Sequence, residues 1–417
     1  MPEHRPRAAA AAGAGGDRLT PLDWRGELGR LAEEVGRRTR HAADRLERLV
    51  DRDPYLVAGY RGYGAGTRAL VLGRAMQDEG IAQADPAASR WRNLLHALKR
   101  LESDPLPFAA VGARIAGFHA ELRADDEGFV REWVELPAPL AAGGWHPVTL
   151  ELRREDGPAL PGTGMVLTPS SGTRFGVISD MDDTVLQSRV TDFVRAAGTV
   201  LLENARTRLP FPGVAAFYRA LAAGSGGGEA SPIFYVSNSP WNLYDVISDF
   251  LAAQEIPVGP VLLRDWDLGL RLRRRPPHKP GAIAEILTTY PDLPFILVGD
   301  SGQEDPEIYS AIVRDHPGRI LAVYIRNVRP HPERVAAVRR LAAQVVADGS
   351  ALVLADDTLT AARHAAEHGW IDPASLGEIG GEKRDDRGET GAKAPAPGTA
   401  PTVEVPPVVV EQPGDLP

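Results

Sequence analysis

From about residue 173 to residue 372, short apolar runs alternate with stretches of helical periodicity. Six of these runs are predicted as strands: 176–179, 233–236, 261–263, 295–298, 320–325 and 351–354. Continuous apolar runs are typical of parallel strands that helices cover on both faces of the sheet. The pattern therefore predicts an α/β domain with a parallel sheet over residues 173–372.

Residues 54–165 have a different pattern, in which shorter apolar runs are separated by Gly, Pro and Asp. The runs at 69–72, 113–118, 129–136 and 148–152 predict a small β-rich, sandwich-like domain, which a helical pattern at 88–101 interrupts. The glycine-rich segment 60–64 (YRGYG) is interpreted as a turn between strands in preference to a binding loop.

The two ends of the chain differ from both domains. Residues 1–18 and the tail at 376–417 are poor in large apolar residues and are predicted to be disordered, with peptide recognition as an alternative for the tail. Residues 19–53 predict an amphipathic helix whose polar face mixes arginines with glutamates. Because mixed charges are typical of a solvated face, we favour packing of this helix on the protein over binding to anionic lipid.

Composition excludes several classes of function. The net charge of -9 argues against a nucleic-acid partner, and the absence of cysteine excludes disulfides, thiolate metal sites and cysteine nucleophiles. No apolar stretch reaches the roughly 18 residues of a transmembrane helix. We therefore expect a cytoplasmic protein that reaches any lipid substrate from solution and associates with the membrane only peripherally.

Polar side chains follow three of the predicted strands. The sequence DMDDT occupies 180–184, SNS occupies 237–239 and GDSGQED occupies 299–305, while Lys279 opens a predicted helix. In an open α/β sheet, ligands bind outside the carboxyl ends of the strands, so we expect these groups to lie together.

Each of these groups suits phosphoryl transfer. A carboxylate such as Asp180 can attack phosphorus and form an aspartyl-phosphate, and Asp182 can protonate the leaving oxygen and later deprotonate water. Mg²⁺ prefers oxygen ligands, which Asp180, Asp300 and Asp305 supply. Lys279 would neutralise phosphoryl oxygens, and the hydroxyl group of a strand-end serine would donate a hydrogen bond to one of them.

Two of these assignments have alternatives. Asp305 is interpreted as a metal ligand in preference to a cap of a helix that starts at Pro306. Lys279 is preferred to Arg274 and Arg275 as the cation of the site.

The motifs VISDMDDTVLQS, YVSNSPWNLY, HKPGAI and LVGDSGQEDPEIY together resemble those of the haloacid-dehalogenase (HAD) superfamily of phosphatases. More closely, they resemble the actin-patch-associated phosphatidate phosphatase family, of yeast type with bacterial relatives. The resemblance covers about residues 173–370 and extends weakly upstream through GYRGYG. Asp183 stands where the wider superfamily has glycine, and the family resembled here also has Asp at this position.

The resemblance implies a HAD-like Rossmannoid catalytic domain that removes phosphate from phosphatidic acid with Mg²⁺ and yields diacylglycerol. The implied roles are nucleophile for Asp180, acid/base for Asp182, phosphate binding for Ser237, Asn238 and Lys279, and metal binding for Asp180, Asp182 (through its backbone carbonyl), Asp300 and Asp305. The implied partner is phosphatidate or another anionic lipid at a membrane surface, and no motif indicates a protein partner.

Substrate selection is the part of the function that the sequence defines least. Lys279 is preceded by Arg264 and by a basic cluster of Arg271, Arg273, Arg274 and Arg275. These arginines are interpreted either as a rim that recruits an anionic surface or as a solvated face. Trp241, Leu243 and Tyr244 are interpreted either as residues that contact acyl chains or the membrane interface, or as core residues. Two competing functions are hydrolysis of another phosphomonoester and a catalytically silent lipid-binding or scaffold role.

Overall fold

The computed structural model describes residues 55–77, 104–154, 157–181, 213–264, 278–328, 331–386 and 408–410. Several sequence-based predictions fall outside these residues: disorder at 1–18, the helices at 19–53 and 88–101, the placement of Asp182, and the cluster Arg271, Arg273, Arg274 and Arg275. The described residues form an α/β protein with one mixed sheet and one mainly parallel sheet.

The β-rich region predicted upstream is present as one continuous sheet of eight strands. The strands are β1 (Tyr55–Gly59), β2 (Arg61–Ala65), β3 (Arg68–Gln77), β4 (Ala110–Ile115), β5 (Phe118–Arg123), β6 (Phe129–Glu135), β7 (Gly144–Leu152) and β8 (Leu160–Thr168). Their order is β1-β3-β2-β8-β7-β4-β5, and β6 pairs with β3. Strand β2 joins two groups of strands, β1-β3-β6 and β8-β7-β4-β5, and side chains from both groups share one apolar core. The sandwich-like arrangement of this domain stays a prediction.

The interpretation of residues 60–64 as a turn is wrong, because this segment supplies most of strand β2. Tyr60 and Tyr63 are buried, which also gives no support to a binding loop. The glycines serve close packing of strands: a Cβ at Gly62 would lie 1.8 Å from the carbonyl oxygen of Leu70. Alternating glycine and tyrosine therefore indicates tight strand packing here.

The second sheet contains all six strands predicted from the apolar runs and one more. The strands are β9 (Gly176–Asp180), β10 (Ile233–Pro240), β11 (Val261–Arg264), β12 (Phe295–Asp300), β13 (Ile320–Arg326), β14 (Ala351–Ala355) and β15 (Val408–Val410), in the order β11-β10-β9-β12-β13-β14-β15. Strands β9 to β14 are parallel, as predicted, and β15 adds an antiparallel edge.

Seven α-helices occur in the described part of the chain. They are α1 (Val214–Ala223), α2 (Tyr244–Ala253), α3 (His278–Thr289), α4 (Asp305–Asp315), α5 (Pro332–Ala347), α6 (Thr358–Glu367) and α7 (Ser375–Asp386), with a 3₁₀ turn at Trp241–Leu243. Among the residues that the structure describes, every helix is too short or too polar to span a lipid bilayer.

Two parts of the tail predicted to be disordered are ordered. Helix α7 forms because Ile379 is fully buried and because Arg219 on α1 pairs with Glu378 at 2.9 Å and Glu382 at 2.6 Å. Strand β15 pairs with β14. Low apolar content predicted disorder here, but a single buried side chain and ion pairs to a distant helix stabilise this segment.

The mixed sheet packs directly against helix α3. The Tyr63 hydroxyl donates a hydrogen bond of 2.7 Å to Glu285 Oε1, and Arg131 Nη2 lies 2.8 Å from both oxygens of the same carboxylate. The Tyr290 hydroxyl, just beyond α3, donates to the Gly64 carbonyl at 3.2 Å. Tyr63 therefore lies in the same apolar core as the parallel sheet, with its ring 5.3 Å from that of Phe234.

We expect Glu285→Ala to lower the stability of the fold by about 1–3 kcal/mol, because it leaves the buried Tyr63 hydroxyl without its acceptor. Urea or thermal unfolding of the full chain measures this change. Glu367→Ala, at the exposed end of α6, is the matched control and should have little effect. Equal stability changes in the two variants would contradict the structural role of Glu285.

Candidate active site

The site lies where the order of strands in the parallel sheet reverses. The chain runs outward from β9 to β10 and β11, then returns to place β12 on the other side of β9. Ligands of open α/β sheets bind at such a switch point, beyond the carboxyl ends of the strands. Asp180 ends β9 and Asp300 ends β12, so the two carboxylates flank this crevice.

Three carboxylates meet at the crevice. Asp180, Asp300 and Asp305 each place one oxygen within 4.8 Å of the others, and their exposed fractions are 1%, 0% and 0%. Burying carboxylates together is unfavourable unless cations neutralise them. This buried set of oxygen ligands can therefore hold a metal ion.

Lys279 supplies positive charge to the same cluster. Its Nζ lies 2.7 Å from Asp180 Oδ1 and 2.9 Å from Asp305 Oδ1, and the side chain is only 3% exposed. The Gln303 side-chain oxygen accepts a further hydrogen bond from this nitrogen at 3.2 Å. Sequence reasoning missed Gln303, although it lies inside the GDSGQED motif.

Asp305 does not cap a helix, which excludes the alternative considered for it. Helix α4 begins at Asp305 itself, one residue earlier than predicted. Its Oδ1 contacts Lys279, and its Oδ2 accepts the backbone N–H of Asp300 at 3.1 Å. The carboxylate thus points into the crevice and stabilises the end of β12.

Gly299 allows Asp305 to approach β12 this closely. A Cβ at position 299 would lie 2.7 Å from Asp305 Oδ2 and 2.8 Å from Cε2 of Tyr309. Any side chain here would push the carboxylate away from Asp300 and Lys279. Gly299, the first glycine of the GDSGQED motif, is thus required by the close packing around the carboxylates.

Two buried tyrosines, Tyr218 and Tyr309, form hydrogen bonds near the ends of β9 and β12. Neither was identified from the sequence. Tyr218 OH lies 2.6 Å from Ser179 Oγ, and the serine hydroxyl also donates to the backbone carbonyl of Asp180 at 2.8 Å. The Tyr309 hydroxyl donates to the Val298 carbonyl at 3.0 Å. Burial raises the pKa of both phenols, and the nearby carboxylates raise it further, so both remain protonated at neutral pH.

Comparison with known proteins shows which family this part of the chain resembles. Residues 175–327 match the family model described as "Phosphatidate phosphatase APP1, catalytic domain". The predicted family resemblance is confirmed. These residues, called here the APP1-type segment, contain Asp180, Ser237, Lys279, Asp300 and Asp305.

Two curated relatives each match little more than a third of the chain. Phosphatidate phosphatase APP1 of Saccharomyces cerevisiae is 33% identical over 158 residues, which are 36% of this chain and 26% of the relative. An uncharacterised protein of Schizosaccharomyces pombe is 31% identical over 157 residues, 37% of this chain and 25% of the relative. The chain therefore spans about a quarter of the length of the curated relatives it matches.

The similarity of this chain to solved structures is low. A carbohydrate acetylesterase from Xanthomonas citri has a TM-score of 0.23 and 17% identity, with 71% of this chain and 74% of that chain covered. A similarity at this level supports no conclusion about fold or function.

Ser237 of the APP1-type segment lies beside the carboxylates in the sheet. It follows Val236, the residue that pairs with Asp180 across β9 and β10. The side chain is fully buried, and its hydroxyl oxygen accepts the N–H of Ser239 at 2.9 Å. Asn238, predicted as a second phosphate ligand, is exposed at the same edge of the sheet.

Two aromatic residues of the APP1-type segment are core residues. Trp241 and Tyr244 are 5% and 3% exposed, and the ring of Tyr60 stacks on Tyr244 with 3.8 Å between centroids. The core interpretation of these two residues is therefore confirmed, and Leu243 is half-buried against the same core.

Proposed function

We propose that this chain is a Mg²⁺-dependent phosphatidate phosphatase of the HAD type, which hydrolyses phosphatidic acid to diacylglycerol and phosphate. The observation that carries the proposal is the buried cluster of Asp180, Asp300 and Asp305 around Lys279, within a segment that matches the APP1 catalytic domain. The proposed layout is a β-rich accessory domain at 54–165 and a catalytic domain at 173–372.

In the first half of the proposed reaction, an Asp180 carboxylate oxygen attacks phosphorus. A bond forms between this oxygen and phosphorus while the bond to the glycerol oxygen breaks, and Asp182 gives its proton to that leaving oxygen. Lys279 supports this step because its ammonium, 2.7 Å from Asp180, favours the ionised carboxylate that attacks.

In the second half, water attacks the aspartyl-phosphate. Asp182, now ionised, takes the proton from water, the bond between phosphorus and the Asp180 oxygen breaks, and phosphate leaves. Ser237, Asn238 and Lys279 hold the phosphoryl oxygens in both halves.

The carboxylates of Asp180, Asp300 and Asp305, with the backbone carbonyl of Asp182, would hold Mg²⁺. The oxygen-only ligand set and the burial of three carboxylates beside one lysine support this assignment. When bound, Mg²⁺ supplies the positive charge that allows a phosphate dianion to approach an acidic crevice.

The basic cluster Arg271, Arg273, Arg274 and Arg275 is the proposed recruitment surface for lipid. These residues precede Lys279 in sequence, and a basic residue near an anionic membrane contributes about 1 kcal/mol of binding. Recruitment by charge should weaken as salt screens the interaction over about 8–10 Å.

Measurement of phosphate release from different esters tests whether phosphatidate is the preferred substrate. We expect the purified full chain to hydrolyse phosphatidate in anionic vesicles faster than soluble phosphomonoesters, and to lose all activity in excess EDTA. Replacement of the four arginines of the basic cluster by glutamine should reduce activity on vesicles selectively and at low salt.

Three outcomes would contradict parts of this proposal. Unchanged phosphate release in EDTA would exclude the metal site. Preference for a soluble ester would indicate a phosphatase of another specificity. Absence of release from every ester would favour a catalytically silent lipid-binding protein.

A further inference from the structure

The loop at 301–304 joins two carboxylates of the site, Asp300 and Asp305. Its backbone N–H groups point inward, where Gly302 and Gln303 donate to Asp300 Oδ1 at 2.6 Å and 3.2 Å. These hydrogen bonds fix the side chain of Asp300. The conformation of the loop therefore determines where this carboxylate lies.

Arg334, on helix α5, holds the same loop from its outer side. Its Nε donates to the Ser301 carbonyl at 2.8 Å, and its Nη2 donates to the Gln303 carbonyl. Both terminal nitrogens also contact the Glu307 carboxylate, Nη2 at 3.0 Å. One guanidinium thus joins the loop, the first turn of α4 and helix α5.

A single peptide unit connects Arg334 to Asp300. The carbonyl of Ser301 and the N–H of Gly302 belong to one peptide plane and, in a trans peptide, point in opposite directions. When Arg334 holds the carbonyl outward, it directs the N–H of Gly302 inward to Asp300 Oδ1. Hydrogen bonds in such a chain also polarise and strengthen one another.

We propose that Arg334 is a positioning residue that sets the metal affinity of the site through the Ser301–Gly302 peptide and Asp300. The proposal rests on the function proposed above. The same loop carries Gln303, whose side chain accepts a hydrogen bond from Lys279, so Arg334 also positions one of the three partners of this buried lysine. A lysine at position 334 has one donor centre and is unable to reproduce the planar contacts of the guanidinium.

The experiment measures Mg²⁺ binding by calorimetry on the full chain without substrate, and the Mg²⁺ concentration for half-maximal activity. For R334Q we expect the Mg²⁺ dissociation constant and the half-maximal Mg²⁺ concentration each to rise about 10–100-fold. This is the usual effect of removing a partner that orients metal ligands. Activity at saturating Mg²⁺ should change much less. R334K should also bind Mg²⁺ more weakly than wild type, and it gives the same comparison if R334Q does not fold.

Two variants serve as controls. R339Q removes an exposed arginine from the same helix and should bind Mg²⁺ as wild type does. E307Q removes the charge of the carboxylate partner but leaves the donors of Arg334 to the loop, so its Mg²⁺ affinity should stay close to that of wild type.

Reduced Mg²⁺ affinity in R334Q and R334K, with wild-type affinity in R339Q, supports the proposal. Unchanged Mg²⁺ affinity in the Arg334 variants, with or without a lower melting temperature, would overturn it and leave the proposed function intact. Absence of Mg²⁺ binding by the wild-type chain would overturn both.

Discussion

Asp180→Asn is expected to reduce phosphate release by at least about a thousandfold, as removal of other enzymic nucleophiles does. The amide has the shape of the carboxylate but lacks its charge and does not form an acyl-phosphate. The fold should persist, because Lys279 keeps Asp305 as a partner at 2.9 Å and the strand pairing of β9 uses backbone groups. Phosphate release and circular dichroism of the purified variant measure the two effects.

A matched substitution separates this effect from general damage. Asp372→Asn changes an exposed carboxylate outside the site and should leave turnover unchanged. Substantial turnover in a pure sample of the Asp180 variant would mean that another group attacks phosphorus. Loss of the folded state would mean that the charge of Asp180 serves the structure first.

Lys279→Met is expected to reduce turnover by about 10²–10³-fold, the usual effect of removing one preorganised donor to developing charge. The methionine side chain fills similar space but leaves Asp180 and Asp305 without the ammonium that lies within 3 Å of both. The carboxylates then lack a competing cation and attract Mg²⁺ more strongly, so the Mg²⁺ concentration required for half-maximal activity should fall. A Mg²⁺ titration of phosphate release measures both changes.

Lys383→Met provides the comparison for this prediction. Lys383 pairs with Asp357 and joins α7 to the start of α6, outside the site. Its loss should lower stability and leave the Mg²⁺ dependence of phosphate release unchanged. Equal effects of the two lysine variants on activity would contradict a specific role for Lys279.

The sequence predicted the parallel sheet and the edge at which its carboxylates meet, for a physical reason. Strands buried on both faces must be continuously apolar, so runs such as 295–298 stand out from their surroundings. Burial of a charged residue at the end of such a run, as at Asp180 or Asp300, is energetically unfavourable. A carboxylate at this position therefore indicates a functional role. The clustering of these carboxylates follows from the parallel arrangement of the strands.

The parts that were missed depend on contacts between distant residues. Residues 60–64 form a strand because Tyr63 packs on the other sheet, which a local glycine pattern does not show. Helix α7 depends on Arg219, more than 150 residues earlier in the sequence. Arg334 and Tyr309 support the site through backbone groups, which have no signature in the side-chain sequence.

The contact of the mixed sheet with helix α3 constrains how such a chain can be shortened or recombined. Lys279 lies in the first turn of α3, and Glu285 on the same helix is held by Tyr63 and Arg131 from the upstream sheet. A fragment beginning at 173 would expose the aromatic surface around Phe234 and leave this helix without its outer support. A fusion that separates the upstream strands from the APP1-type segment would therefore leave Lys279 on a helix without this support.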